Sequence, residues 1–382
     1  MGSIEGSSAE GFLGLYQLIK GKEDKGMKRS AFMISLLSIG MALIFAVSSV
    51  AAELPKITWK VQFCCPESSP KFQKRVCLKP SPDSKPIGAG ADLTKELSRV
   101  VAARTNGKFQ LKCFAANELF GTREAYEALE KGAIDMWFGP PWAFSGRNKF
   151  GFVSGSLPFS LENHDQAYHI MFETKFREVA RRAYAKNNIY YICGAMGGAD
   201  GITSTFPIRT MEDLKGKKIR GGGIKGKVNK ALGAIDVVIS PAEIYSALER
   251  GIIDGLMMPL YVMGERGYFE KCKYVSLPPV FGNWWVDWAA NMNSWKKLPN
   301  EYQKILQEEA DRLWKWTLKT NLPHLEKAVQ EEWTKKGVQY LTLSKENLKK
   351  FKKAVLPIWD EVAAMTPENA EVVKIYKDYL KD

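Results

Sequence analysis

With 382 residues, 45% hydrophobic and 25% charged, the chain can bury more than one core, which excludes a disordered or fibrous protein. A formal charge of +13 suits a nucleic acid, an anionic membrane or an acidic small ligand. The basic residues are spread along the chain, concentrated only around Lys349–Lys353, and no basic-aromatic recognition motif occurs, which argues against nucleic acid as the partner.

The N-terminus reads as an address. Residues 1–26 are rich in Gly and Ser and precede a better start at Met27, so they are set apart as an upstream extension. Met27-Lys28-Arg29, the apolar run 31–50 and Val50-Ala51-Ala52-Glu53 form a positive region, a hydrophobic region and a small-residue cleavage site. Residues 27–52 are therefore expected to be a signal peptide cleaved near Ala52, which places the mature chain in the periplasm. The rival, an uncleaved anchor, has about the right length to span a bilayer. Ser48 and Ser49 and the lack of a flanking basic stop argue against it.

The mature chain opens with an alternating, β-rich segment, Ile57–Phe63, followed by a Pro/Ser/Lys-rich loop over 66–90. Leu93, Leu97, Val100 and Val101 share one face of a helix predicted over 91–105, ended by Asn106-Gly107. Phe109, Leu111 and Cys113 alternate with Gln110 and Lys112 as a second strand.

Tyr126-Glu-Ala-Leu-Glu-Lys-Gly-Ala-Ile-Asp135 then recurs as Tyr245-Ser-Ala-Leu-Glu-Arg-Gly-Ile-Ile-Asp254. Each copy ends a helix at a glycine able to adopt a left-handed C-cap, and each turns into an apolar strand, 133–138 or 252–258. Helix–Gly–strand is one unit of a parallel sheet, whose strand ends open onto a crevice. Two copies predict two similar lobes with a ligand between them. After Pro299 the pattern is helical to the end, with Trp314, Trp316, Trp333 and Trp359 as packing aromatics.

Six cysteines (64, 65, 77, 113, 193 and 272) include no Cys-x-x-Cys, and three histidines form no ligand cluster, so no metal site is expected. In an exported chain Cys64 or Cys65 could pair with Cys77, whereas Cys113, Cys193 and Cys272 read as small buried hydrophobes. Gly221-x-Gly223-x-x-Gly226-Lys227 imitates nucleotide-binding loops. Val228 replaces the magnesium-holding hydroxyl, and no acidic residue follows at the ribose position, so no cofactor is expected. No nucleophile–histidine–carboxylate arrangement is present, so no catalytic residue is assigned.

Thr210-Met-Glu-Asp213 starts a short helical turn, Gly216 ends it, and Lys217–Arg220 reads as a strand. Arg220 thus stands at a strand's carboxyl end, where a planar guanidinium can grip a carboxylate with two parallel hydrogen bonds. A surface arginine on a basic strand would read the same way.

Asp213-Leu-Lys-Gly-Lys-Lys-Ile-Arg220, Leu232-Gly-Ala and Ala247-Leu-Glu-Arg-Gly-Ile-Ile-Asp-Gly255 resemble the signature of solute receptors of tripartite ATP-independent periplasmic (TRAP) transporters. Gly121, Gly132-Ala-Ile-Asp-Met136, Pro207-Ile208 and Asn293-x4-Leu-Pro299 extend the resemblance over nearly the whole mature chain.

The resemblance implies an α/β, two-lobed, class II-like periplasmic binding protein with crossing strands, a long lobe-spanning helix and a helical C-terminal tail. One lobe would comprise residues 53–196 and 284–323, the other 197–283 and 324–382. It implies a monomer that closes on a small organic acid and hands it to ion-gradient-driven TRAP membrane permease subunits. A periplasmic sensor built on the same module, or an exported enzyme, are the rival functions.

The family's strand-end arginine, here Arg220, falls on the ligand carboxylate. Many members carry an acidic-polar pair after the second Asp-Gly that makes polar and metal contacts; this chain has Leu256-Met257-Met258. Many carry Gly-aromatic-Arg where this chain has Gly198-Ala199-Asp200. Met257, Met258, Trp284 and Trp285 are therefore expected to make an apolar wall, with at least one of the tryptophans in the core instead, Trp142 opposite, and Asp200 either meeting a ligand donor or capping a turn.

Overall fold

The computed structural model describes residues 53–380 except Pro66, Ala89, Arg123 and Ser156. Residues 1–52, where an upstream extension and a signal peptide are expected, lie outside the described residues. No helix among those described is long and apolar enough to cross a membrane.

Among the described residues eleven strands are formed: β1 (Ile57–Phe63), β2 (Phe109–Phe114), β3 (Met136–Gly139), β4 (Ile189–Asp200), β5 (Ile202–Ser204), β6 (Lys218–Arg220), β7 (Ile235–Val237), β8 (Gly255–Met257), β9 (Tyr274–Leu277), β10 (Phe281–Asn291) and β11 (Gln339–Thr342). They make two sheets with helices packed on them, the α/β architecture expected. One sheet has five strands in the order β2-β1-β3-β10-β4, the other six in the order β11-β9-β5-β8-β6-β7. The chain passes between the sheets three times: from β4 through Gly201 into β5, from β9 into β10, and through the helices after β10 to β11. β4 and β10 pair antiparallel along their length, with Phe281 opposite Asp200 at the crossing.

The duplicated sequence explains itself here. Helix Glu124–Glu130 ends at Gly132 (φ 74°) and feeds β3; helix Ile244–Glu249 ends at Gly251 (φ 66°) and feeds β8. In each copy the closing aspartate joins its strand to a parallel neighbour. The Lys60 amide donates to the Asp135 carboxylate at 2.8 Å and the Asp135 amide to the Lys60 carbonyl at 3.0 Å. Lys218 and Asp254 repeat this at 2.8 and 2.7 Å. The lysine ammonium completes each copy on the helix-ending turn, Lys60 on the Ala133 carbonyl and Lys218 on that of Gly251.

A long helical path follows β10. Helix Asn300–Trp316 packs on β4 and on helix Ala91–Arg104, and helix Leu322–Lys335 continues it against Leu260–Glu265. Between them Thr317–Asn321 is a π-helical turn. Pro323 supplies no amide for the turn behind it, and the wider turn absorbs that gap. The tail, expected with the second lobe, touches helices of both sheets. Lys345–Val355 packs on Gly223–Ala231, while Pro367–Tyr379 packs on Phe176–Ala185, which covers β4.

Three local expectations change. The loop over 66–90 contains a helix, Pro70–Val76, because the Ser69 side chain accepts from the Phe72 amide and Phe72 and Val76 bury one face. The C-terminal region includes β11, which pairs with β9 after Gly337 (φ 86°) breaks the preceding helix. All six cysteines are free, so neither Cys64 nor Cys65 is joined to Cys77. Trp314, Trp333 and Trp359 are buried as expected, and Trp316 is half-buried.

Candidate ligand-binding site

Where the two sheets meet, aromatic rings surround a cavity of about 280 Å³. Pro141 and Trp142 enter it from the turn after β3, Phe152 from the next turn, and Phe281 and Trp284 from β10. Ile224 and Lys225 come from the N-terminal turn of helix Gly223–Ala231. That turn approaches Trp142 so closely that a Cβ on Gly223 (φ 54°) would lie 3.0 Å from the Trp142 Cβ. Glycine is required there for both its backbone conformation and its size.

Among the described residues on the cavity wall, Lys225 has the one charged side chain, and it is 5% exposed. Its ammonium is hydrogen-bonded to the fully buried Asp200 carboxylate, and donates to the Met257 carbonyl oxygen at 3.2 Å. The Nζ also lies 4.4 Å from the Trp284 ring centroid and 5.9 Å from that of Phe281, within cation–π range. Trp284 Nε1 donates to the other Asp200 oxygen at 2.5 Å. Burial pushes the Asp200 carboxyl up and the Lys225 ammonium down, and their mutual attraction opposes both shifts.

Arg220 ends β6 with 5% exposure and is not among the residues that line the cavity. Its Nε and Nη2 each reach the Ile239 carbonyl oxygen at 3.4 Å, a long contact, and among the described residues no carboxylate is within ion-pair distance. Burial pushes the guanidinium below its usual value; Tyr268, Asp200 and Asp236 act in the other direction. Asp236 is engaged elsewhere, accepting from the Asn229 side chain and the Gly222 amide. A buried guanidinium without a counter-ion is costly unless an anion completes it.

The structure thus brings together Asp200, Trp284, Trp142 and the main chain of Met257, with the Arg220 charge near enough to interact with that of Asp200. Trp285 alternates to the other face of β10, where it is fully buried edge-on to Phe176, 5.3 Å between centroids. It belongs to the core rather than to the cavity, as strand periodicity dictates for neighbours in sequence. The Met257 side chain is buried, and Met258 follows β8 half-buried.

Lys225 is missing from the sequence expectations because Gly221–Lys227 resembles nucleotide-binding loops, which draws attention to its glycines and Lys227. Its signal was the stripe Ile224, Lys225, Val228 and Asn229, which puts a lysine on the buried face of a helix. At the crossing, Asn283 contacts His164, whose Nε2 lies 3.2 Å from Glu326; Glu326 accepts from the Ala199 amide at 2.8 Å. No sequence spacing links these four residues.

A sequence model of the family described as bacterial extracellular solute-binding protein, family 7, matches residues 81–366. The chain is 27% identical over 347 residues to the monocarboxylate 2-oxoacid-binding periplasmic protein of Nostoc sp. (strain PCC 7120), covering 87% of each. Among solved structures, it resembles a TRAP periplasmic solute-binding protein of Colwellia psychrerythraea with bound calcium and pyruvate. That likeness has a TM-score of 0.72 at 21% identity and covers 85% of this chain and 94% of the other. A second, of Pseudoalteromonas atlantica with bound sodium and pyruvate, matches with a TM-score of 0.73 at 20% identity, covering 85% and 95%.

Proposed function

The chain belongs to family 7 of the bacterial extracellular solute-binding proteins, the receptor subunits of TRAP transporters, and we propose that it receives a small apolar monocarboxylate for membrane permease subunits. The observation that carries this reading is Arg220, a buried guanidinium that lacks an anionic partner among the described residues.

Charge supports a single carboxylate. Arg220 and Lys225 bring two buried positive charges and Asp200 one negative charge, so one anion neutralises the group. The carboxylate would lie between Arg220 and Lys225, gripped by the guanidinium fork. Wall chemistry describes the rest of the ligand. Trp142, Phe152, Phe281 and Trp284 line the cavity mainly with aromatic rings, and the Trp142 indole N–H is without a partner among the described residues. A 2-oxo acid with a short apolar or aromatic chain fits, in keeping with what the Nostoc relative is named for.

Ligand that contacts both sheets favours the closed arrangement by its differential contacts, and the permease would read that arrangement. The receptor acts as a monomer, released into the periplasm by cleavage near Ala52. N-terminal sequencing of the exported protein is expected to begin at or next to Glu53.

Calorimetric titration with pyruvate, 4-methyl-2-oxopentanoate and phenylpyruvate tests the site. Arg220→Ala is expected to weaken the best of these by about ten-fold or more, since a charge-assisted bidentate contact contributes about 1.5–3 kcal/mol. Undiminished affinity in Arg220→Ala would remove the carboxylate grip, and a neutral sugar as best ligand would remove the acid reading.

A further inference from the structure

The Colwellia and Pseudoalteromonas structures hold calcium or sodium together with pyruvate, which raises the question of whether this cleft would take a metal ion. The residues present do not fit one. Calcium asks for about six to eight oxygen ligands. The cleft offers the Asp200 carboxylate and the Met257 carbonyl, and both already bind the Lys225 ammonium. The second Asp200 oxygen is taken by the Trp284 indole. Among the described residues no group of three or more His, Cys, Asp or Glu is arranged to hold a metal. A metal ion on these oxygens would also sit next to the ammonium, where like charges about 4 Å apart repel strongly even with substantial screening.

We infer that the Lys225 ammonium is the resident cation of this cleft, and that the receptor binds its acid without a metal ion. The inference rests on the acid-binding reading above. Its geometry stands without it. The ammonium is held as a small cation would be, by one carboxylate, one main-chain carbonyl and two aromatic faces. Two of its three N–H groups have partners, and the residue lines the cavity, which leaves a donor for a ligand oxygen.

The local sequence is complementary. Leu256-Met257-Met258 supplies no side-chain oxygen, and the Met257 carbonyl faces Lys225. A tethered charge thus replaces an exchangeable one.

The test uses the whole purified protein, assayed for calcium and sodium content by elemental analysis and titrated with the same three acids. Titrations are run in chelator, in excess calcium, and with sodium replaced by choline. Affinity is expected to move by less than about two-fold across these conditions, while Lys225→Met lowers it by about ten-fold or more, with no recovery on adding calcium. An ion dependence of about ten-fold, or one tightly held metal ion per protein after dialysis, would overturn the inference.

Metal content, and the thermal shift on adding calcium to unliganded protein, decide the matter even if Lys225→Met fails to fold. They also decide it if none of the acids binds. That last result would defeat the acid-binding reading, whereas a saturable calcium-induced rise in Tm would defeat the tethered cation.

Discussion

Replacing Asp200 by Asn is expected to lower the unfolding free energy by about 3–5 kcal/mol, because removing one member of a buried ion pair strands the other. Lys225 would keep the Met257 carbonyl and two aromatic rings, none of which carries a full negative charge. The loss is also expected to depend on pH in a defined sense. Burial already holds the Lys225 ammonium below its usual value, and without Asp200 it falls further. As pH rises through that lowered value the folded protein sheds the proton while the unfolded chain keeps it, so the variant's deficit shrinks on the alkaline side. Urea denaturation of both proteins from neutral to alkaline pH measures this. The double variant Asp200→Asn/Lys225→Met should recover much of the loss, since no buried charge is left unpaired. A deficit below about 1 kcal/mol would mean that water reaches the pair.

Asp287, in the middle of β10, carries the second large expectation. It is fully buried, with one carboxyl oxygen accepting from Ser154 at 2.9 Å and from the Tyr184 hydroxyl, and the other without a partner. Burial pushes its carboxyl up to about 7, outweighing the two hydroxyl donors. Between the ordinary carboxyl value, near 4, and about 7, the unfolded chain releases a proton that the folded protein retains. Stability present at low pH is therefore lost as pH rises through that window, by about 4 kcal/mol in all. Asp287→Asn removes the titrating group. The difference in unfolding free energy between parent and variant should slope across pH 4–7 and level off above it, within roughly the range set by the two values. A difference independent of pH would place an ionised carboxylate in the core.

Much of the fold was legible because local chemistry and tertiary structure agree. β1 is alternating and β-rich over Ile57–Phe63, and Ala91–Arg104 puts its leucines and valines on one face; both form where expected. The glycines at 132 and 251 end helices as their left-handed conformations require. What stayed hidden depends on partners distant in the chain. Residues 339–342 become β11 because β9 offers them an edge, which no local pattern announces. Pro70–Val76 is a short helix fixed by a serine cap and two buried side chains.

The site divides the same way. Arg220 could be placed at a strand end from spacing alone, and its lack of an anionic partner could not. Asp200 reads from the sequence as a ligand contact or a turn cap, and its hydrogen-bonded partners, Lys225 and Trp284, come from a helix and a strand that only folding brings together. Trp284 and Trp285 are neighbours in sequence, and strand alternation sends one ring to the cavity and the other to the core.

The twin aspartates have a consequence for how binding energy is spent. Asp135 and Asp254 each lock the beginning of their strand to a neighbouring lysine backbone, at the end remote from the ligand. The opposite ends, Trp142 beyond β3 and Met257 in β8, face the cavity or its cation. Each half of the receptor is thereby stapled at its far rim and left open at its near one. An arriving acid need not organise either half internally. Its contacts go into drawing two finished surfaces together, so affinity can be retuned by exchanging near-rim residues while both stapled frames stay as they are.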